Sequence, residues 1–471
     1  MPKRLCVLLL GAFLVACSAF AQSGDGTIVG TVLDSSGAGV PNATVQLGNM
    51  DTGVKTSTKT DAGGSYRFNN ILVGRYTVTA TATGFTTTTL KDLAVELNKA
   101  TTANIKVEVG SVSTAIDVME ASTFIDTTTA QVSNNFEARM AAEIPSSANP
   151  NGGVLNLALL GAGVTSSGGV GVGTGPSVGG QRPRNNNFMI DGVDNNRKDV
   201  TGPVLLIPND AVAEFTVLQN QFSAEFGHSS GGQFNTVLRG GTNEIHGILY
   251  DYLQNRHLNA MDQADKRNFL TSNPRYDQNR LGGAIGGPIR KNKLFYYGLY
   301  EYNPLGQASV PAGGTTYAPT AAGYSTLSSM AGISATNLGI LKQYLPATAT
   351  AAKTTTVNGV AIPIGVVPIS APNYTNTYSW LVSIDYNISD KDQLRGRYVD
   401  NKISAINIAA NLPVFFFPRP TTSHLGSISE FHNFRPNLTN EVRLAFNRYN
   451  DNIQVPDFKY PGLDVFPNIQ I

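Results

Sequence analysis

Trp380-Leu-Val-Ser-Ile-Asp-Tyr-Asn-Ile-Ser389 decides the fold class of this 471-residue chain. Its even positions are Trp380, Val382, Ile384, Tyr386 and Ile388, whereas the odd ones from Ser383 onward are Ser, Asp, Asn and Ser. Successive side chains of a strand point to opposite faces, so one face of this segment suits lipid and the other water. Val442, Leu444 and Phe446 alternate in the same way with Arg443, Ala445 and Asn447, as do Leu394, Gly396 and Tyr398 with Arg395 and Arg397. Aromatic side chains cluster at Phe295, Tyr296, Tyr297, Tyr300 and Tyr302. Alternation over about ten residues with clustered aromatics marks a transmembrane barrel strand. Alternation alone also fits a soluble sandwich strand with one wet face.

Loop lengths separate the two. The pattern predicts seven strands, near 244–254, 280–289, 294–303, 378–389, 394–402, 423–434 and 440–451. Three connections are short, at Arg290 to Lys293, Asp390 to Gln393 and Arg435 to Thr439, and those between them are long, above all Pro304 to Thr377. An up-and-down barrel with tight periplasmic turns and long outer loops keeps that parity, and a soluble sandwich has no reason to. Single-chain bacterial barrels use even strand numbers from eight upward, and an open edge in lipid costs several kcal/mol for each unsatisfied backbone group. The expectation is therefore an incomplete barrel of about seven strands in an all-β chain.

Residues 26–109 alternate short Val/Ile/Thr/Tyr runs with Gly, Asn and Asp turns, which predicts a β-sandwich. Strand candidates are Thr27–Leu33, Ala43–Leu47, Val54–Thr60, Ser65–Phe68, Arg75–Ala80, Thr86–Val95 and Thr102–Val109. The runs Gly30-Thr-Val-Leu-Asp34, Val40-Pro-Asn-Ala-Thr-Val45, Thr60-Asp-Ala-Gly-Gly-Ser-Tyr66 and Gly74-Arg-Tyr-Thr-Val78, with Gly84-Phe85, resemble the carboxypeptidase regulatory-like domain, a transthyretin-like sandwich. That resemblance implies a binding or spacer module and no peptidase activity.

Residues 110–242 are rich in Gly, Asn and Ser. Two stretches stand out: Gly179-Gly-Gln-Arg-Pro-Arg-Asn-Asn-Asn-Phe-Met-Ile-Asp-Gly-Val193, and the glycine-rich turn, strand and turn of Phe226 to Gly247. Together they resemble the plug domain of TonB-dependent outer-membrane transporters running into a first barrel strand. Gly286-Gly-Pro-Ile-Arg-Lys-Asn-Lys-Leu-Phe-Tyr-Tyr297 resembles the second and third strands of the Oar-like branch, whose members also carry the N-terminal sandwich. The resemblance implies structural roles in the plug for Gly180, Gln181, Arg182, Asp191, Gly192, Gly231, Gly232, Arg239 and Gly241. It also implies a barrel of about twenty-two strands, of which this chain would be the N-terminal portion. Within Ser113–Glu120, the segment Ala115, Ile116, Asp117, Val118 and Met119 is the TonB-box candidate, a strand to be added to a TonB-type energy transducer. The alternative is the last sandwich strand running into a linker. The implied partners are that transducer, outer-membrane lipid and an extracellular ligand of unspecified class, whether carbohydrate, peptide or chelate. The expected domains are a signal peptide (1–21), the sandwich (22–109), a TonB-box linker and plug (110–242) and the partial barrel (243–471).

The N-terminus reads as an export signal: Lys3-Arg4, an apolar run from Leu5 to Ala16, then Ala19-Phe20-Ala21, with cleavage expected before Gln22. Leu14-Val15-Ala16-Cys17 is the competing lipoprotein signal. Cleavage at Gln22 removes both cysteines, Cys6 and Cys17, and with them disulfide and thiolate chemistry. No later segment reaches the ~18 apolar residues of a spanning helix.

The charges balance at 34 Lys plus Arg against 33 Asp plus Glu, without the basic excess that a nucleic-acid binder needs. Gly227-His-Ser-Ser-Gly231 matches a hydrolase nucleophile elbow in letters, but that elbow needs a following helix, and Gln233–Leu238 has strand character. His228, His246, His257, His424 and His432 form no zinc-peptidase spacing, and no Gly-Lys dipeptide exists for a Walker loop. Asp191 and Asp194 fit an Asp-Gly turn better than a calcium loop. No cofactor, metal or catalytic residue is expected. The predicted function is energised uptake through a plugged barrel. Its rival is a surface-exposed binding or adhesion protein that uses the sandwich.

Overall fold

The computed structural model of the chain describes residues 25–110, 115–119, 131–144, 153–166, 175–222, 226–227, 229–261, 263–267, 271–308, 316–367, 373–408, 412–436 and 438–454. The expected export signal lies outside them.

The sandwich has two sheets. One holds β1 (Gly26–Leu33), β4 (Ser65–Ile71), β7 (Ala100–Thr102) and β8 (Ile105–Lys106). The other runs in the order β3 (Lys55–Lys59), β2 (Thr44–Asn49), β5 (Gly74–Thr81), β6 (Thr87–Val95) and β9 (Ala115–Met119). Both contribute alternate side chains to one core: Tyr76, Val78 and Ala80 of β5 are buried, as are Ile28, Val32, Tyr66 and Phe68 from the facing sheet. The single strand expected over Thr102–Val109 is split in two. The Asn104 side chain supplies Oδ1 to the Thr31 N–H at 3.0 Å, taking the place of a ladder carbonyl.

A short strand β10 (Val132–Glu137) and helix 138–143 lead to β11 (Val164–Thr165), β12 (Ser177–Val178), β13 (Asn187–Ile190), β14 (Val193–Asp194), β15 (Val212–Asn220) and β16 (Gln233–Leu238). Five of these form a sheet in the order β10-β15-β16-β13-β14, in which β13 and β16 are parallel. Phe188 and Phe234 stack at 4.8 Å within its core.

The rest is a seven-stranded antiparallel meander in chain order: β17 (His246–Asn255), β18 (Tyr276–Arg290), β19 (Leu294–Gln307), β23 (Tyr374–Asn387), β24 (Asp392–Asn407), β25 (Phe417–Arg435) and β26 (Leu438–Asp451). Most of these strands are longer than expected, and β25 reaches 19 residues. The alternation predicts the faces. Ser379, Leu381, Ser383 and Asp385 are buried against the five-stranded sheet, while Trp380 is 54% exposed on the other side. Tyr296, Ile384, Gly396, Ile428 and Leu444 are successive register partners across five strands and continue that outer face. At one of its ends Tyr300 lies 4.3 Å from Trp380, and Tyr302 stacks on Tyr378 at 4.7 Å. These pairs form an aromatic girdle beside an apolar band, as a barrel wall requires.

Between β19 and β23 the chain folds a small unit of its own. Strands β20 (Tyr317–Pro319), β21 (Lys353–Val357) and β22 (Val360–Val366) pack with helices 321–329 and 335–344 around Tyr324, Leu327, Leu338, Ile362 and Ile364. Thr320 and Ser334 cap the two helices by accepting the Gly323 and Asn337 N–H groups.

Candidate functional site

The wall's inner face carries the buried small polar side chains Ser379, Ser383, Ser423, Ser427 and Ser429 between the buried apolar Tyr297, Leu299, Leu381, Val399 and Leu425, which pack with the five-stranded sheet. Into this shallow surface project two consecutive inward positions of β24. The Arg397 Nε donates to Asp191 Oδ2 at 2.7 Å, and its other arm lies 2.8 Å from Asp385 Oδ1 on β23. Two residues along, Arg395 binds both carboxylate oxygens of Asp25, at 2.7 and 2.9 Å, with its guanidinium 4.2 Å above the Phe431 ring. One wall strand therefore holds the five-stranded sheet with one arginine and the sandwich with the next.

Asp191 is placed by its turn. It adopts a left-handed φ of +46°, Gly192 follows at +72°, and Asp191 Oδ1 accepts the Leu238 N–H at 3.0 Å. The left-handed φ at Gly192 is what calls for glycine there, since the nearest atoms to a Cβ belong to the mobile tip of Arg443. A second polar cluster joins sheet and wall: Arg280 lies 3.1 Å from Glu301 and 3.6 Å from Asp210, and the Tyr297 hydroxyl donates to the Asp210 carbonyl at 3.0 Å. Burial raises the Asp210 carboxyl above its ordinary value, against the opposing pull of Arg280.

Glu214 of β15 ties the five-stranded sheet to the sandwich. Its Oε1 accepts the Leu97 N–H at 2.8 Å, the Thr216 hydroxyl at 3.0 Å and the Asn135 amide at 3.1 Å. Burial pushes its pKa up to about 7, and the negative charges of Glu96 and Glu137 act in the same direction. A cavity of about 540 Å³ opens between the sandwich, the sheet and the wall, with Arg75, Glu214, Arg239, His246, Asp385 and Arg397 among its lining.

The sandwich meets the short-turn end of the wall. The Asn69 amide donates to the Pro436 carbonyl at 2.8 Å, and the Asn243 N–H, beside the β18–β19 turn residue Asn292, donates to the Asp51 carbonyl at 3.0 Å. The small helical unit belongs to a long connection at the opposite end.

The remaining glycine-rich positions are structural in detail. Gly180 has φ +78°, Gln181 accepts from the Asn185 amide at 3.2 Å, and Arg182 precedes the short 3-10 turn 183–185. A Cβ on Gly231 would lie 2.4 Å from Asn186 Oδ1, and one on Gly232 would lie 2.8 Å from Phe234. The Arg239 Nε donates to the Val212 carbonyl at 3.0 Å, and a Cβ on Gly241 would lie 2.3 Å from the Tyr296 carbonyl. Residues Ala115, Ile116, Asp117, Val118 and Met119 form β9, parallel to β6 in the register Thr87↔Ala115 to Lys91↔Met119.

Ser229 donates to the Asn185 carbonyl at 2.5 Å and is followed by strand β16, so the helix of a nucleophile elbow is replaced by a strand. Among the described residues, Asp392, Glu430 and His432 are the group with metal-ligating atoms within 4.8 Å of one another, on adjacent strands of the wall. His432 and Asp392 are already hydrogen-bonded to each other. Sequence reading placed Arg395 and Arg397 on a water-facing strand side but not their partners. An inward charge on a wall strand was the signal, since it needs a counter-charge from whatever fills the lumen.

Residues 237–469 match the outer membrane beta barrel domain family, and residues 27–108 match the carboxypeptidase regulatory-like domain. The chain is 25% identical over 303 residues to the TonB-dependent transporter Oar of Myxococcus xanthus, covering 62% of this chain and 28% of that protein. Among solved structures it is similar to a ferric enterobactin receptor of Pseudomonas aeruginosa (TM-score 0.42, 12% identity, 69% of this chain and 42% of that one). It is also similar to the outer membrane transporter YddB of Escherichia coli (TM-score 0.44, 11% identity, 68% and 39%). The chain thus spans 28% of the length of the curated relative and about two fifths of those two structures.

Proposed function

We propose that the chain is an Oar-like TonB-dependent protein of the outer membrane and serves energised uptake of an extracellular ligand through a plugged barrel. The five-stranded sheet is the plug, and Ala115–Met119 is the strand through which a TonB-type transducer pulls on it. The observation that carries the reading is the buried Asp191–Arg397–Asp385 bridge. It supplies a buried counter-charge where a separate sheet sits on the inner face of a lipid-facing wall. Wall residues Tyr297, Leu299, Leu381, Val399 and Leu425 pack in one apolar cluster with Phe188, Phe215 and Phe234 of the sheet, so the bridge fixes the plug's position while apolar contact supplies the rest of its hold. The sandwich's place at the short-turn end supports a periplasmic position, which disfavours an adhesin on the cell surface.

The test is capture of the purified periplasmic domain of the host's TonB-type transducer by the detergent-solubilised chain. Concentration-dependent capture is the expected result. An absence of capture, from a chain that retains its β-structure by circular dichroism, would overturn the coupling role.

A further inference from the structure

The two edges of the sandwich's five-stranded sheet are built differently. The outer strand on one side, β3, reads Lys-Thr-Ser-Thr-Lys, with Lys55 and Lys59 exposed at its ends. Lysines on an edge strand are a common guard against pairing with another chain, because adding a strand there would bury or crowd their charges. The outer strand on the other side, β9, reads Ala-Ile-Asp-Val-Met. It carries no lysine or proline, and its five-residue register with β6 runs without a shift. The ladder stops where β6 bends: Asp92 has φ +62°, and the β5–β6 register shifts just beside it. The segment Thr87–Lys91 is thus the straight part of the β6 edge, and β9 covers all of it. Among the described residues nothing pairs with the far edge of β9.

We propose that this far edge is the docking surface for the energy transducer: β9 stays on β6, and the transducer's strand adds to β9 as the sixth strand of the sandwich's sheet. The proposal rests on the reading of Ala115–Met119 as the coupling strand and adds that the sandwich is part of the docking platform. A strand pairs through alternate backbone groups on its two sides, so pairing with β6 leaves the outward groups of β9 free for a partner. Holding β9 extended on a folded sheet removes the ordering entropy that a loose segment would lose on binding. The platform also lies at the short-turn end of the wall, where the sandwich contacts Pro436 and Asn292 is joined to Asn243.

The test is a cross-link that fixes β9 to β6. Thr89 and Asp117 are direct register partners, so Thr89→Cys with Asp117→Cys puts the two cysteines side by side on paired backbones. The full chain is expressed behind a cysteine-free export signal, and binding of the purified transducer periplasmic domain is measured with the disulfide formed and after reduction. The expected result is that the disulfide forms in the folded protein and that the oxidised form binds at least as well, up to about tenfold tighter through preorganisation. Loss of binding on oxidation, restored by reductant, would show that β9 must leave the sandwich and would overturn the platform while keeping the coupling strand. Failure of the disulfide to form would also overturn it. Absence of binding in both states and in the parent chain would remove the coupling-strand reading, and the platform with it.

Discussion

Arg397 of the wall and Asp191 of the plug sheet meet at 2.7 Å, and the same guanidinium lies 2.8 Å from Asp385, so one buried cation serves a carboxylate on each side of the boundary. The three residues come from β24, the β13–β14 turn and β23. Removing any one of them has a different consequence, because the charge balance differs each time.

Arg397→Met leaves two enclosed carboxylates facing each other without a counter-charge, and should cost about 3–5 kcal/mol of stability at the plug–wall contact. Asp191→Asn keeps the shape and leaves Arg397 paired with Asp385, so its cost should be clearly smaller. Thermal unfolding in detergent, with limited proteolysis of residues 175–240, reads both. Equal resistance in Arg397→Met and the parent would remove the bridge from the account of how the plug is seated.

Glu214 gives the sandwich–plug junction a pH dependence of known sign. Its pKa in the folded chain is about 7, above the ordinary 4.5. Between those values the folded state holds a proton that the unfolded state has lost, so this group's contribution to stability falls as pH rises through the window and levels off above about 7. Unfolding midpoints measured from about pH 5 to about pH 8 should therefore decline in the parent. Glu214→Gln should flatten that decline and be the more stable of the two at the alkaline end. An unchanged slope in Glu214→Gln would assign the pH dependence to other groups.

Ile428 is 56% exposed on the outer face, midway along a row of register partners with Gly396 and Leu444. On a soluble sheet an exposed Ile→Arg change stays within about ±0.5 kcal/mol. In the apolar band of a barrel wall it should cost up to about 2–4 kcal/mol and reduce assembly into outer membranes. Membrane fractionation and heat-modified mobility on gels measure this, with Ser427→Arg on the inner face as the position that should instead disturb the plug.

Val118→Pro deletes one backbone donor of β9 and fixes φ, whereas Val118→Thr keeps both the donor and β-character. The proline variant should lose capture of the transducer domain and, in cells, energised uptake, while membrane insertion and ligand binding persist. The threonine variant should be mild. Full uptake with proline at 118 would reduce the segment to a linker.

The wall and sandwich were legible because their signals are local. The period-two alternation of Trp380 to Ser389 and of Tyr76 to Ala80 names a buried and an exposed face without knowledge of what covers either. Chain order then sets the meander, since short turns can only join antiparallel neighbours. The unit within Pro304 to Thr377 was missed although it held a readable signal: Asn358-Gly359, both at positive φ, between Val357 and Val360, is a two-residue hairpin turn. The alanine- and threonine-rich sequence around it has weak periodicity, and its core of Tyr324, Leu327, Leu338, Ile362 and Ile364 assembles only when both helices lie on the hairpin.

By itself the sequence determined the β-class, the faces of the strands and the parity of the turns, because each follows from neighbours within about ten residues and from which solvent they suit. Only the tertiary structure decided which inward charges meet. Arg397 and Asp191 are 206 residues apart, and Arg395 and Asp25 are 370 apart. No local period encodes such a pairing. It arises when the plug seats inside the wall and the sandwich meets its short-turn end, and each buried charge must find its counter-charge or pay the cost of desolvation unpaired. The place of Ala115–Met119 was decided in the same way, since a strand's backbone groups specify that it must pair but leave the choice of edge to the folded sheet.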